Sequence, residues 1–312
     1  MRASSFSELV ERHLSSGDAL ASGFEAFEFD IDGADFDRLL REWRGKQMAA
    51  AAYADIKGEI NVSAALEWFS DIAENALQAA VCFHQALLKK RYGVCLDTDG
   101  EPLKFVVLGM GKLGGRELNF SSDIDLICLY DKQGKCNGAG GLSAEEFFGR
   151  LVKAVSKSLS EITEQGFAFR VDLRLRPFGS AGPLVMHFDQ AEHYYETHGR
   201  DWERYAFIKA RPVAGDIEAG QQFLDSLKPF IYRRYLDFTA LHGLRDLKSK
   251  IEKQYALKRL DDNIKLGPGG IRELEFIAQS FQLVRGGQNV SLRTQSLYAA
   301  LSAATELGLI EG

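Results

Sequence analysis

Two aspartates stand at the head of an otherwise apolar strand, directly behind a glycine-rich turn, and this feature limits the fold more than any other. Phe105-Val106-Val107-Leu108 is a short apolar run that ends at Gly109, and Ile124 to Tyr130 is a second run broken only by Asp125. Seven residues separate Gly115 from Asp123. A crossover helix between parallel strands takes at least about 10–12 residues, so the two runs are expected to be adjacent strands joined by a turn. The i, i+2 spacing of Asp123 and Asp125 places both carboxylates on one strand face, where they repel each other unless positive charge neutralises them.

Three readings of this segment compete. Gly109, Gly111 and Gly114 satisfy a dinucleotide-binding pattern, with Asp131 near the place of a ribose-binding acid, but the missing crossover argues against it. The second reading is a surface turn carrying two solvated aspartates. In the third, the pair holds a hard divalent cation by oxygen ligation, and Gly114 and Gly115 let backbone N–H groups approach a phosphate. Leu113-Gly114-Gly115 followed by Asp123-Ile124-Asp125-Leu126 resembles the signature of polymerase-beta-like nucleotidyltransferases. Two cations about 3.5–4 Å apart clamp the attacking and leaving oxygens in such sites. A third acid is expected from a neighbouring strand. Residues 167–176 alternate, with Phe167, Phe169, Val171, Leu173 and Leu175 on one face and Arg170, Asp172, Arg174 and Arg176 on the other. Asp172 is the candidate, and a salt bridge to Arg170 or Arg174 is its structural alternative.

Around this unit the chain reads as helical. From Phe36 to Tyr92 apolar residues recur at three- and four-residue steps, as in Leu66, Phe69, Ile72, Ala73, Ala76, Leu77, Ala80 and Phe83. Gly93 and Asp97–Pro102 break the pattern. Lys132–Gly141 reads as a loop. Ser143 and Glu146 predict a capping box, followed by a stripe of Phe147, Phe148, Leu151, Val152, Val155, Leu159 and Ile162. Past Pro183 a helical pattern returns, with one glycine-rich break at residues 267–270 and then a stripe of Ile271, Leu274, Ile277, Phe281 and Val284. Residues 1–35 fit short helices or partial disorder. The expected organisation is α+β: an N-terminal helical region (1–100), a catalytic unit with a small mixed sheet (101–186), and a C-terminal helical region (187–312). Trp202 and Arg204 are expected to pack between elements, and His193 and His198, five apart, miss metal-ligand spacing.

Bulk properties remove several function classes. With 38 basic and 44 acidic residues the net charge is -6, and a mildly acidic chain lacks the basic footprint of nucleic-acid binding. Cys82, Cys95, Cys128 and Cys136 form no C-x-x-C pair, which excludes zinc spacing; scattered thiols suit a reducing compartment. No apolar run reaches membrane-span length, and none follows Arg2 as in a secretory signal. A cytoplasmic protein without membrane or nucleic-acid partners is expected.

Four separated motifs, GMGKLGGRELNFSSDIDLI, RVDLRLRPFGSAGPLV, GRDWERYAFIKARPVAGD and NIKLGPGGIRELEFIAQSFQLVRGG, resemble the glutamine synthetase adenylyltransferase family from roughly residue 36 to 312. Members carry two nucleotidyltransferase halves, one attaching AMP to a tyrosine of glutamine synthetase and one removing it with inorganic phosphate to give ADP. The wording at Asn119–Asp125 and at Gly270-Ile271-Arg272-Glu273 is similar to the removing half. One dyad motif occurs, so the chain is expected to be one half of a longer protein, ending within the helical region. The resemblance implies metal ligation by Asp123, Asp125 and Asp172, with two magnesium ions. It implies a phosphate path along Lys112, Gly114, Gly115, Ser121, Ser122, Arg174 and Arg176. It also implies a phosphate role for Arg272, at a glycine-flanked helix start, and pairing of Glu273 or Glu275 with basic residues of the catalytic face. Expected partners are adenylylated glutamine synthetase, a nitrogen-status signalling protein, nucleotide and inorganic phosphate. Forward transfer of AMP or UMP from a triphosphate, and a regulatory docking module with an idle site, are the alternatives.

Overall fold

The computed structural model describes residues 32–138, 140–233 and 270–310. The first 31 residues and the start of the glycine break at 267–269 therefore lie outside the described residues. The chain divides into two compact units: one runs to Ala191 and takes in Arg211–Phe223, and the other comprises Glu192–Ala210 with the residues from Leu224 onward.

In the first unit, α1 (Gly33–Ile56) and α2 (Val62–Tyr92) occupy the region expected to be continuously helical. They are separate because Asn61 caps α2, its side chain accepting the Ala64 N–H at 2.9 Å. Gly93 ends α2 at φ 80, a left-handed value that glycine alone adopts freely. β1 (Cys95–Leu96) and β2 (Phe105–Gly109) follow, then a one-turn helix α3 (Gly111–Gly114) and β3 (Ile124–Tyr130). β2 and β3 are antiparallel, with Phe105 opposite Tyr130 and Gly109 opposite Leu126, so the dinucleotide reading has no crossover to stand on. β4 (Lys135–Cys136) lies within the stretch expected to be loop. It pairs with β1, Cys95 opposite Cys136, and the two cysteines are joined as a disulfide where separate thiols were expected.

α4 (Ala144–Ser160) opens with the predicted box, Ser143 and Glu146 each accepting the other's backbone N–H. Its buried face is Phe147, Phe148, Leu151, Val152, Val155 and Leu159. Ile162 departs from the expected stripe: it lies beyond the helix end and is 80% exposed. β5 (Val171–Asp172) and β6 (Val185–His187) both run parallel to β3, on the edge that β2 leaves open. Parallel neighbours need a crossover, and α4 provides it. The alternation expected over 167–176 thus yields only a two-residue strand, because β3 offers a partner there only at Ile124 and Asp125.

α5 (Phe188–His198) and α6 (Asp201–Phe207) precede β7 (Arg211–Gly215), a strand inside the region expected to be helical. β7 lies antiparallel along β2 and completes a five-stranded mixed sheet of order β5-β3-β2-β7, with β6 beside β3. Pro212 is tolerated because β7 is an edge strand, whose outward N–H positions need no partner. One sheet face, carrying Phe105, Val107, Leu126, Cys128 and Tyr130, is buried with α1, α2 and α4 in one apolar cluster. Burial pushes the Cys128 thiol up to about 12, as expected of a dry core.

In the second unit, α7 (Ile217–Ser226), which begins in the first unit, leads to α8 (Lys228–Ile231), α9 (Ile271–Arg285) and α10 (Leu297–Glu306). Arg204 is 2% exposed and donates to the Phe230 carbonyl at 2.9 Å, a packing role as expected, whereas Trp202 is 36% exposed. α9 turns a different face inward from the expected stripe. Phe276, Gln279, Gln282 and Leu283 are buried, while Ile271, Leu274 and Ile277 are exposed. The Gln282 amide sets this rotation by donating to the carbonyls of Leu292 at 2.7 Å and Thr294 at 2.6 Å. Among the described residues, no helix is long and apolar enough to cross a membrane.

The core beneath the sheet is held by stacked rings. Phe148, 1% exposed, lies 5.3 Å from Phe105 and 5.2 Å from Tyr130 between ring centroids. Phe148→Ala is expected to lower stability by about 3–5 kcal/mol, read from urea unfolding at unchanged slope.

Candidate functional site

Alternation along β3 sends the acids to one place. Ile124, Leu126, Cys128 and Tyr130 enter the core with α2 and α4, so Asp123 and Asp125 lie on the side facing away from those helices. β5 then brings Asp172 level with Asp125, its direct partner in the parallel register. Neighbouring strands stand about 4.8 Å apart, which sets the spacing of the two backbones. The strand start is pinned from both sides: the Ile124 N–H donates to the Arg170 carbonyl at 2.9 Å, and the Met110 N–H to the Asp125 carbonyl at 2.9 Å.

Like charges directly opposite on adjacent strands are destabilising, and arginines meet them here. Arg170 Nε donates to Asp123 Oδ1, and its Nη2 donates to the Ser121 carbonyl at 2.9 Å. Arg174 Nε donates to Asp172 Oδ1 at 3.0 Å and Oδ2 at 2.8 Å, and its Nη2 donates to Oδ2. The Arg174 backbone N–H adds a bond to Oδ1 at 2.8 Å. The hydrogen-bonded Arg174 side chain holds the Asp172 carboxyl below its usual range, and Asp172 raises the guanidinium in turn. The salt bridge considered for Asp172 is therefore present, and the three acids share a sheet edge without being gathered around a point. Among the described residues, no three Asp, Glu, His or Cys side chains are placed to hold an ion together.

The glycine turn behind the acids is a tight helical turn, and this changes which glycine matters. The N–H groups of Gly114 and Gly115 donate to the Met110 and Gly111 carbonyls at 3.1 and 3.0 Å. They close the turn itself, and both residues are buried, so neither supplies the phosphate-facing N–H expected of it. Gly111 is the glycine that meets the acids. Its φ is 50, and a Cβ there would lie 3.3 Å from Asp125 Oδ2. Lys112 is half-buried on the same turn. Ser121 and Ser122 form the bend before Asp123, with Ser122 Oγ donating to Asn119 Oδ1 at 2.6 Å.

Arg211 and Glu74 anchor this turn, and both were missed. Arg211 Nη2 donates to the Leu113 carbonyl at 3.2 Å, Nε to the Gly114 carbonyl at 3.1 Å, and Nη1 to Glu74 at 3.1 Å. Glu74 lies 137 residues earlier in sequence, so no local pattern links the two. A weak signal lay in Arg211-Pro-Val-Ala-Gly215 itself, a short edge-strand composition with its proline near the start.

Arg176 departs from the expected phosphate path. It is 8% exposed, and its guanidinium donates to the carbonyls of Leu173 at 2.8 Å, Ser180 at 3.3 Å, Gly182 at 3.2 Å and Pro183 at 3.0 Å. A guanidinium with that many carbonyl partners belongs to the scaffold of the 173–183 loop. Arg272 stands on the first turn of α9, in the second unit. Glu275 pairs with Lys209 at 2.9 Å, also within the second unit. A separate cavity of about 610 Å³ opens at the far end of β3, among Tyr130, Gln133, Lys135, Ser143 and His187; the acids take no part in it.

The small five-stranded mixed sheet with its covering helices is a nucleotidyltransferase-type fold. The chain belongs to the glutamate-ammonia ligase adenylyltransferase family, which residues 17–226 match; residues 245–312 match the PII-uridylyltransferase family. A bifunctional glutamine synthetase adenylyltransferase/adenylyl-removing enzyme of Xanthomonas campestris pv. campestris (strain B100) is 50% identical over 272 residues, covering 87% of this chain and 29% of the relative. An enzyme of the same description from Thioalkalivibrio sulfidiphilus is 46% identical over 303 residues, 97% of this chain and 31% of the relative. One from Methylococcus capsulatus is 47% identical over 274 residues, 88% and 29%. This chain thus spans about three tenths of the length of these relatives.

Lysine cannot span the carbonyls that Arg176 bridges, because its donors radiate from one point. Arg176→Lys is expected to cost about 1.5–3 kcal/mol of stability in denaturant unfolding. Full stability in that variant would release Arg176 from its scaffold role.

Proposed function

We propose that this chain removes AMP from an adenylylated tyrosine of glutamine synthetase by phosphate attack. In this reaction a phosphate oxygen bonds to the AMP phosphorus, the phosphorus–oxygen bond to tyrosine breaks, and ADP leaves while the tyrosine oxygen takes up a proton. The carrying observation is the charge pattern of the acid edge. Three carboxylates at the heads of two adjacent strands are accompanied by two exposed arginine forks, Arg170 and Arg174. The carboxylates offer an all-oxygen donor set of the kind a hard cation prefers, and Asp123, Asp125 and Asp172 would hold magnesium once Arg170 and Arg174 give up the oxygens they now occupy. When bound, magnesium supplies positive charge to the phosphoryl group in transfer.

The chain's own residues do the rest. Inorganic phosphate is tethered to nothing, so its binding calls for positive charge beyond that facing the AMP. Arg174 is suited to it, since a planar fork meets phosphate oxygens in pairs, and Lys112 lies on the turn beside Asp125. Gly111 leaves room at the Asp125 carboxylate, and the Arg211–Glu74 pair holds the turn still. Openness fits a protein substrate: the Asp123 side chain is 54% exposed and that of Arg174 is 81% exposed, whereas small-molecule sites bury most of their ligand. The match of residues 245–312 to PII-uridylyltransferase supports docking of a nitrogen-status signalling protein on that stretch.

Incubation with adenylylated glutamine synthetase, magnesium and phosphate is expected to release ADP. Unmodified glutamine synthetase with ATP is expected to yield no AMP-tyrosine; AMP transfer in that arm with no ADP in the first would reverse the assigned direction. Asp125→Asn is isosteric and should leave the circular dichroism spectrum unchanged. It is expected to lower ADP release by about a hundredfold or more, and near-normal turnover would place the chemistry elsewhere.

A further inference from the structure

We propose that Arg174 is a displaceable counterion of Asp172. It competes with a divalent cation for the same oxygens and, once displaced, donates to phosphate, so that cation and phosphate binding are coupled through one side chain. The proposal rests on the reading above, in which this edge takes both a cation and phosphate.

The lone pairs of Asp172 make the case. A carboxylate has about four acceptor positions. Oδ1 takes the Arg174 backbone N–H and Nε, and Oδ2 takes Nε and Nη2. Every position is thus in use, three of them by the guanidinium. A cation can ligate Asp172 only by removing guanidinium bonds; the backbone N–H can remain and keep the carboxylate oriented.

Little holds the guanidinium in place otherwise. The Arg174 side chain is 81% exposed, and among the described residues its hydrogen bonds all go to Asp172. The carboxylate is the anchored half of this fork, 16% exposed against 81% for the guanidinium, so in an exchange the arginine is the partner that moves. Two neighbours show the contrast. Arg176 is 8% exposed and enclosed by backbone carbonyls. Arg170 keeps the Ser121 carbonyl and the Phe167 ring face at 5.5 Å even if it gives up Asp123. Of the three, Arg174 is the one whose side-chain bonds are concentrated on an acid that a cation would claim.

Charge favours the exchange. Asp123, Asp125 and Asp172 carry three negative charges, met by Arg170, Arg174 and, on the neighbouring turn, Lys112. Adding divalent cations turns this balance positive, so a guanidinium is pushed from the carboxylates and a phosphate dianion becomes its better partner. Released beside Asp172, the fork is within one side chain's reach of the anion it would hold.

Manganese alone, titrated into the full chain and followed by electron paramagnetic resonance of the free ion, separates the alternatives. Arg174→Lys keeps the charge but loses the fork that fills Asp172. It is expected to bind manganese roughly two- to fivefold tighter than wild type, as on removal of one competing ion-pair partner, and Arg174→Ala at least as tightly. At saturating manganese, phosphate is expected to bind about tenfold more weakly to Arg174→Ala, as on loss of a charge-assisted bond. An arginine that merely supports the fold would weaken manganese binding when removed. One that acts only on phosphate would leave the manganese affinity of Arg174→Lys at the wild-type value. Either result overturns the exchange. Wild type that binds no manganese overturns the cation reading and the exchange together, whereas manganese binding with ADP release and no tightening in either variant overturns the exchange alone.

Discussion

Asp125 and Asp172 face each other on neighbouring parallel strands, and the first unit is built to hold that pairing. Two carboxylates in register repel, so the arrangement persists only if other terms fix the register. Those terms are apolar. Ile124, Leu126, Cys128 and Tyr130 enter the helix-covered core, and a slip of one residue would bury Asp123 and Asp125 there instead. Burying an unpaired carboxylate costs far more than the repulsion between two exposed ones. The hydrophobic register therefore dictates the chemical one. Because β5 is parallel to β3, a crossover is obligatory, and the strongly amphipathic α4 both supplies it and covers the same face.

Much of this was legible in sequence because the signals are local. The β2–turn–β3 hairpin follows from a spacer too short for a crossover, and α4 from a capping box followed by a clean apolar stripe. The parts that were not legible depend on distant partners. Residues 167–176 alternate as well as any strand, yet only Val171 and Asp172 find a ladder, since strand extent is set by the partner and not by the segment. β7 is five residues with a proline, weak by itself and stabilised by pairing with Val106–Gly109 of β2 across a register shift. On α9 the apolar periodicity pointed to Ile271, Leu274 and Ile277, but two hydrogen bonds from Gln282 rotate the helix away from that face.

The candidate site divides in the same way. The placing of Asp125 and Asp172 on neighbouring strand starts was readable from spacing, and the Arg174–Asp172 pair was the structural alternative it offered. What each neighbouring residue does was not. Arg174 and Arg176 are two residues apart on a face that looked uniformly polar, yet one extends into solvent from a carboxylate and the other is enclosed by a loop. The difference arises after Leu175, where Pro177 and Gly179 bend the chain back and four carbonyls close over Arg176. Similarly, Gly114 and Gly115 looked like phosphate-binding glycines until the turn proved helical and took up their N–H groups.

The edge strand β7 shows how far the sheet unit extends. β2 has β3 on one side, and without β7 it would itself be the sheet edge, presenting unpaired N–H and C=O groups, a liability for any exposed strand. β7 also carries Arg211, the residue that ties the glycine turn to Glu74 on α2. A boundary drawn at residue 186, where the polar motifs end, would remove both. The family match to residue 226 and the compact unit closing at Phe223 agree with the strand. The candidate site sits on residues 109–174, but the rigidity of its glycine turn is supplied from either side in sequence, by a helix that precedes the motif and a strand that follows it.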